Sequence, residues 1–544
     1  MRSGSQGAAK AKKGKQRQER AKRQGVQASS AEPVRESPEA RAARRLAQVQ
    51  AQKEARRRNR EIHKALREKS QRLDVQVPPG ASAYNGTCEW KTVEEERQAR
   101  QEACLEQLGR VCQLWPVLWG RLSRMPDWRV PKKVKHLKSV LMLYGVLLFV
   151  LQMSSRREAN GEMTKPQLVE NLRLWFPEIG QLPHQDTLAR LLGGSDPQEI
   201  EEALIGAVRG LIRKKKFERY LVEGCYPICM DGTQKFKRDE LKHPEMLTRT
   251  LHKEDGTEEQ HYVYVLEASL GFRNGMTIPL LSEFLTYSVE NETKQDCEQR
   301  AFHRAAERLK KLFPRLPILL LLDGLYPNGP VIERCRKNHW QFMIVLPDKS
   351  LPTVWDEYRG LRKITTGNTV RLLWNGRHQV FTWINDIAYF YGENDKRRQS
   401  VHVVECEESW EECDAAGHLG TKTAKHVWLS SEPLSAKNVH ERCNFGARHR
   451  WNIEEAILAE KWHGYNYEHC FSEGWSALRC YHYLMRIEHL INVLVWYSAK
   501  LSRAMRRLGV RGFLRLVWTT LVGPWFDADA IRLELAQPRQ VRLV

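Results

Sequence analysis

PILLLLDG, residues 317–324, is the stretch on which the fold turns. Its apolar run shows none of the alternation of a half-exposed strand, and Asp323-Gly324 closes it. A short unbroken run with turn residues behind it reads as a strand buried on both faces, in the middle of a sheet. An aspartate at the end of such a run is expensive to place unless something compensates its charge. Upstream, CYPICMDG (225–232) ends the same way, in Asp231-Gly232. HYVYVLEASLG (261–271) and MTIPLLSEFLTY (276–287) follow it as two more β-rich runs, as in an antiparallel meander. A helix is expected over about 291–312, and beyond PILLLLDG come a short helix, PVIERCRKN (330–338), and a strand, WQFMIVLP (340–347). The order is βββαβαβ, an α/β class with a mixed sheet and helices against it.

When the fourth strand of this order joins the first in parallel, their C-terminal ends bring Asp231 and Asp323 together. Two facing carboxylates repel. A hard divalent cation held through oxygen resolves the repulsion, and Mg²⁺ or Mn²⁺ suits a site that phosphate oxygens complete, with room for two ions once a third carboxylate arrives. Each aspartate taken alone also reads as a turn residue, since Asp-Gly is a common turn dipeptide. Residues 350–440 interrupt the pattern with short strands such as TVRLLWNG, HQVFTWIND and VHVVEC, which read as a β-rich insertion. The chain then turns helical at RHRWNIEEAILAEK (448–461). On a helix Arg450, Glu454 and Lys461 share one face beside the apolar pair Ile453 and Ile457. Glu454 supplies the third carboxylate, and Arg450, Lys461 and Arg448 are candidates for gripping phosphate. The plain alternative is a set of surface ion pairs at helical spacing. Glu455 stands on a different face.

The composition points the same way. Lys and Arg number 88 against 66 Asp and Glu, a formal +22 that asks for a polyanionic partner. Residues 1–72 hold 22 basic and 7 acidic side chains, so 15 of that excess belongs to the first segment. We read 1–75 as a basic arm, disordered or a solvated helix, 90–218 as an all-α domain, 221–349 and 441–510 as two parts of one catalytic core around the 350–440 insertion, and 511–544 as a tail. Within the α domain, TKPQLVENLRLWFP (164–177) and PHQDTLARLLGG (183–194) suit a helix-turn-helix-like unit with Thr164 as cap, or a plain helical hairpin. VLMLYGVLLFVLQM (140–153) is too short to span a bilayer and reads as a buried helix. The 12 Cys are scattered, and neither Cys225 with Cys229 nor His402, Cys406, Cys413 and His418 has paired zinc-ligand spacing. The first forty residues contain no apolar run of signal-peptide length, so a cytoplasmic location is expected. Trp475, Tyr481, Tyr483, His469 and His482 form an aromatic group that suits core packing or, alternatively, stacking on a flipped base.

Over residues 221–500 the chain resembles the DDE transposases of bacterial insertion sequences, of the IS4 group. Arg450, Glu454 and Lys461 fit that group's signature of an arginine, a glutamate four positions on and a lysine seven beyond it. Asp231 in CMDG and Asp323 in LLLLDG fit its two catalytic aspartates, and KQDCEQRAFHRAAERL (294–309) resembles the helix before the second. Ala447 stands where the signature carries a tyrosine. The resemblance implies an RNase H-like core interrupted by a β-rich insertion. It implies Asp231, Asp323 and Glu454 as catalytic residues holding two Mg²⁺ or Mn²⁺ ions. It further implies a homodimer or higher multimer on the double-stranded terminal inverted repeats, cleavage of the element's ends and joining of the 3′-hydroxyl to target DNA, in a nucleoid-associated bacterial protein. A transposase-derived DNA-binding protein that no longer cuts, and a metal-dependent nuclease on the same sheet, are the other readings. Deletion of residues 1–72 is expected to weaken DNA binding and flatten the dependence of log Kd on log salt, with Mg²⁺ binding unchanged; an unaltered slope in a fluorescence-anisotropy titration rules the arm out as a phosphate contact.

Overall fold

The structure, a computed structural model, describes residues 90–253, 256–286, 297–413, 419–523, 526–538 and 540–543, with four residues between 54 and 61. The basic arm lies almost wholly outside the described residues. The chain divides into two compact units, 83–410 with 423–544 and 1–82 with 411–422. Of the second, the described residues are strand ends at 411–413 and 419–422 and a helical fragment with an Arg57–Glu61 ion pair at 3.3 Å.

The first unit begins with helices. α1 (Val93–Leu122) is capped by Thr92, whose hydroxyl accepts the Glu95 amide at 3.1 Å, while the Glu95 carboxylate accepts the Lys91 amide at 2.7 Å. α2 (Lys138–Val150) is buried at every residue from 140 to 150. Among the described residues no helix is long and apolar enough to cross a membrane. α3 (Arg156–Glu162), α4 (Pro166–Arg173), α5 (Gln185–Gly193) and α6 (Pro197–Arg213) follow. Thr164 does not cap α4. Its hydroxyl donates back to the Asn160 carbonyl at 2.7 Å, satisfying the end of α3, and Lys165 takes the cap position without a side-chain bond. The stretch from 174 to 184 separates α4 from α5, far more than the three- or four-residue turn of a helix-turn-helix.

The sheet comprises β1 (Tyr226–Arg238), β2 (Leu247–Lys253), β3 (Gly256–Gly271), β4 (Thr277–Leu285), β5 (Ile318–Leu322), β6 (Gln341–Val345), β7 (Thr369–Trp374), β8 (Arg377–Tyr391), β9 (Arg397–Cys413) and β10 (Leu419–Ser430). Its order is β2-β3-β1-β5-β6-β10-β9-β8-β7, with β4 also on β3. All five residues of β5 are buried, as its unbroken apolar run requires. β1 pairs β5 in parallel, β5 pairs β6 in parallel, and the meander partners are antiparallel. One expectation changes here, and the place of the insertion's strands becomes visible. β1 does not stop at Asp231: its parallel pairing with β5 ends at Cys229↔Leu321, but its antiparallel pairing with β3 runs on to Arg238↔His261. The strands of the 350–440 region do not form a sheet of their own. β10 adds antiparallel to the edge of β6 through Trp428↔Val345, and β9, β8 and β7 extend the same sheet.

α7 (Glu298–Leu312), α8 (Gly329–Lys337) and α9 (Pro352–Ile364) connect the strands, and α10 (Asn452–Trp462), α11 (Trp475–Trp496), α12 (Arg503–Arg507), α13 (Gly509–Leu521) and α14 (Ala528–Leu535) close the chain. α11 is the shared axis. It bonds α1 through Gln107 and Asn492 at 2.6 Å, β4 through the Tyr483 hydroxyl and the Ser282 carbonyl at 3.3 Å, and the end of α5 through Cys480 and the Leu192 carbonyl at 3.7 Å. The N-terminal helices and the sheet therefore share one compact unit. The final segment is helical too, α13 lying against α1 with Arg100 donating to Thr519 at 3.0 Å.

α2 meets α11 at Gly145, where a Cβ would stand 2.8 Å from Leu484 Cδ1. Gly145→Val is expected to destabilise by about 1–3 kcal/mol through overpacking. Leu484→Ala should cost less in that background than in wild type, a coupling that a double-mutant cycle of denaturant melts reads directly.

Candidate functional site

Asp231 lies on β1 just past its last parallel pair with β5, and Asp323 follows the end of β5. The strand pairing thus brings the two carboxylates to one end of the sheet. The Asp323 Oδ1 atom accepts the Leu325 amide at 2.9 Å, which fixes the turn after β5. Glu454 arrives from α10. A π-turn (Glu441–Gly446) and a 3₁₀ turn (Ala447–Trp451) precede that helix, so Arg450 stands on the 3₁₀ turn and not on the continuous helix expected from 448. Its i,i+4 relation to Glu454 survives, with Nη2 donating to Glu454 Oε1 at 2.7 Å. Asn452 anchors the junction by donating to the Phe272 carbonyl at 2.8 Å.

Burial pushes the Asp231 carboxyl up to about 7, helped by the negative charges of Glu454, Glu298 and Asp323 and opposed by Arg450. Glu454 and Asp323 are each within electrostatic reach of Asp231. Glu455 is exposed and faces a separate groove lined by Gly275, His463 and Tyr497. Arg450 is only 4% exposed, its guanidinium lies 4.5 Å from the centre of the Trp451 ring, and among the described residues its Nε and Nη1 have no hydrogen-bond partner. A buried guanidinium with unused donors beside carboxylates is poised for an anionic ligand.

The other two basic candidates are engaged. Lys461 Nζ pairs with Glu468 at 3.1 Å. Arg448 forms an ion pair with the fully buried side chain of Glu408, donates to Asn444 Oδ1 at 2.9 Å and lies over the rings of Trp374 and Trp428. Glu408 also takes Arg377 at 3.0 Å, so this network fastens the 3₁₀ turn to β8 and β9. Ala447 is buried among Cys229, Leu319 and Ile453.

Sequence reasoning missed two features. The first is Glu298, the opening residue of α7, whose Oε1 accepts the Tyr326 hydroxyl at 2.7 Å and whose Oε2 accepts that of Tyr264 at 3.1 Å. It packs against Gly232, where any Cβ would collide with its carboxylate and with the Tyr264 ring. The second is a stripe on α10 and the turn before it, Trp451, Leu458 and Trp462, 59%, 41% and 66% exposed. Their spacing of seven and four puts them on one helical face, which a periodicity search can find but reads as core. In contrast Tyr481, Tyr483 and His482 are buried in the core under α11, whereas His469 is exposed and Trp475 stacks on His243.

Among the described residues no three His, Cys, Asp or Glu side chains are gathered into a complete cation site. Cys229 instead donates to the His449 carbonyl at 3.5 Å, and burial pushes its thiol up to about 12. His418 lies outside the described residues. The carboxylates around Asp231 fit a hard divalent cation in donor chemistry, since all offer oxygen, and in charge, since burial and, after it, the negative charge of the neighbouring carboxylates raise the Asp231 carboxyl.

Residues 119–207, from the end of α1 into α6, match the family model described as DDE_Tnp_1-associated. The match supports a DDE-type transposase family and sets the chain in a transposase context. No curated protein matches the chain.

A raised carboxyl holds its proton in the folded state where the unfolded chain has lost it, so without metal it destabilises increasingly as pH rises from about 4 through 7. In EDTA, Asp231→Asn is expected to exceed wild type in stability by on the order of 2 kcal/mol at pH 8, with the difference vanishing near pH 4. Thermal melts across that range check it, and a pH-independent difference refutes it.

Proposed function

We propose that the protein is a DNA transposase of the DDE type that cleaves the ends of its own mobile element and joins them to target DNA. The convergence of Asp231, Asp323 and Glu454 from β1, the β5 turn and α10 carries this reading. The strand order β4-β3-β1-β5-β6, with β1, β5 and β6 mutually parallel, supports an RNase H-like core, and the strands between β6 and α10 support the reading of an insertion. The family match over the preceding helices supports the same assignment.

In this reading Asp231, Asp323 and Glu454 would hold Mg²⁺ or Mn²⁺, which when bound activates water or a 3′-hydroxyl and stabilises the leaving oxygen. The protein's own side chains do the rest. Arg450 offers its two unused donors to a phosphate next to the scissile bond, and the bond to Glu454 keeps its guanidinium aimed there. Lys461 can exchange the exposed Glu468 for a phosphate with little loss, because a solvated ion pair is weak. Arg448 acts by holding the turn that carries Arg450, through Glu408 and Asn444. Trp451 and Trp462 present exposed rings on which bases unstacked near a cut end can rest. The +22 charge, concentrated in the arm, steers the chain to DNA, where it acts as a multimer on paired inverted repeats.

The test is cleavage of duplexes spanning the inverted repeats that flank the coding sequence, in Mg²⁺ or Mn²⁺. Wild type is expected to nick at the element boundary, while Asp323→Ala and Glu454→Gln bind the duplex but lose cutting by at least about 10³-fold. Wild-type binding without cutting in either metal instead identifies a transposase-derived binding protein.

A further inference from the structure

Four carboxylates, not three, bear on Asp231's end of the sheet, counting Asp231 itself. The fourth, Glu298, has no counterpart in the three-acid pattern that the chain resembles. Its placement is strongly determined. Tyr264 on β3 and Tyr326 in the turn after Asp323 each donate a hydroxyl to one of its oxygens, at 3.1 Å and 2.7 Å. Tyr326 is fully buried and its amide bonds the Asp323 carbonyl at 3.3 Å, so the residue that clasps Glu298 belongs to the same turn as Asp323. The neighbouring residue of α7, Gln299, donates to the Leu325 carbonyl at 3.2 Å, a second tie to that turn. Gly232 leaves the space that lets the Glu298 carboxylate lie against β1 at the residue that follows Asp231. A residue needed only to pack could be apolar. A half-buried carboxylate clasped by two hydroxyls near other carboxylates adds unfavourable charge when no cation is bound, and that charge is useful when a cation enters.

We propose that Glu298 is a positioning residue of the cation site, which strengthens the hold on a divalent ion through its charge while its two oxygens stay bonded to Tyr264 and Tyr326. This rests on the carboxylate-site reading above. It assigns Asp231, Asp323 and Glu454 to the ion itself and Glu298 to the shell behind them. Outer residues that orient or polarise ligands commonly alter affinity by about 10–100-fold.

The experiment is calorimetric titration of Mn²⁺ alone into the full chain, without DNA, with melts to verify folding. Glu298→Gln keeps size and can still bond both tyrosines, so it removes charge and little else. It is expected to weaken Mn²⁺ binding about tenfold, whereas Glu298→Asp, which retains the charge, stays within about threefold of wild type. Unchanged Mn²⁺ affinity in a folded Glu298→Gln protein overturns the proposal. So does equal loss in both variants, which marks a packing role. Should Glu298→Gln unfold the chain, Glu298→Asp decides: near-wild-type affinity supports the proposal, and a tenfold loss with an intact fold overturns it. Asp231→Asn separates the two levels of inference. If it abolishes Mn²⁺ binding while Glu298→Gln leaves it intact, only the role of Glu298 falls; if Asp231→Asn binds Mn²⁺ as wild type does, the carboxylate-site reading falls and this proposal with it.

Discussion

β1 and β5 run side by side in parallel only as far as Cys229 and Leu321, and Asp231 and Asp323 lie just beyond that point. Up to it, both strands are buried, β1 pairing with β5 from Tyr226 to Cys229. Past it, β5 leaves the sheet through the Asp323 turn while β1 continues beside β3 alone, so one edge of β1 opens where Asp231 stands. A gap made this way is partly buried without being apolar. It holds carboxylates that the surrounding core makes costly to charge, and the rise of Asp231 to about 7 expresses that cost.

Bringing Glu454 to the gap depends on a second arrangement, deeper in the molecule. α10 carries the fully buried Glu460, which takes Arg486 of α11 at 2.7 Å and a bond from His489, while Arg486 reaches Glu267 of β3 at 3.4 Å. Glu267 also accepts from Ser282 at 2.6 Å and from Tyr467 at 2.8 Å. Although burial alone raises both acids, Arg486 and the neighbouring histidines bring them below the usual carboxylate range. One arginine thus welds α10 to β3 through α11, the helix on which the N-terminal bundle also packs. Loss of either partner would strand a buried charge, the costly way to break such a pair. The position of Glu454 is in this sense set six residues away, at Glu460.

How much of this could be read from the chain alone follows from what kind of interaction carries each part. The buried strand at 318–322 and the buried helix at 140–150 were legible because continuous apolar runs have few other homes. That Asp231 and Asp323 lie at one end of the sheet, and that Arg450 pairs with Glu454, was legible because carboxylates at the ends of apolar runs and a spaced Arg-Glu pair are visible without coordinates. Glu298 was not. Its neighbours in sequence read as an ordinary amphipathic helix, and its role arises from Tyr264 and Tyr326, 34 and 28 residues distant. Arg448 was legible as a basic residue, but its engagement was hidden, since its partner Glu408 lies across the sheet extension. The extension itself reads as β-rich, but only pairing partners reveal that β10 adds to β6. Thr164 shows the local limit: a hydroxyl before a proline suits a cap, yet the end of the preceding helix claimed it.

The contrast between the two acidic clusters bears most directly on what the site is for. In the core, charges are settled internally: Glu267 and Glu460 face Arg486 and Lys235, the latter brought down to about 8 by burial, and burial holds the Glu488 carboxyl well above the usual range. That cluster ties α10, α11 and β3 together, although Glu460 Oε2, Arg486 Nε and Glu488 Oε2 have no hydrogen-bond partner among the described residues. Around Asp231 the sum does not close. Glu298, Asp323 and Glu454 add negative charge, and among the described residues Arg450 is the cation that opposes them at Asp231, itself with two donors unspent. The core cluster sets its acids against Arg486 and Lys235, whereas the Asp231 end of the sheet holds an excess of carboxylate beside a guanidinium that bonds Glu454, lies over the Trp451 ring and keeps two nitrogens without a partner among the described residues. Those are the complementary needs of a divalent cation and a phosphate, and a ligand that brings both together satisfies them at once.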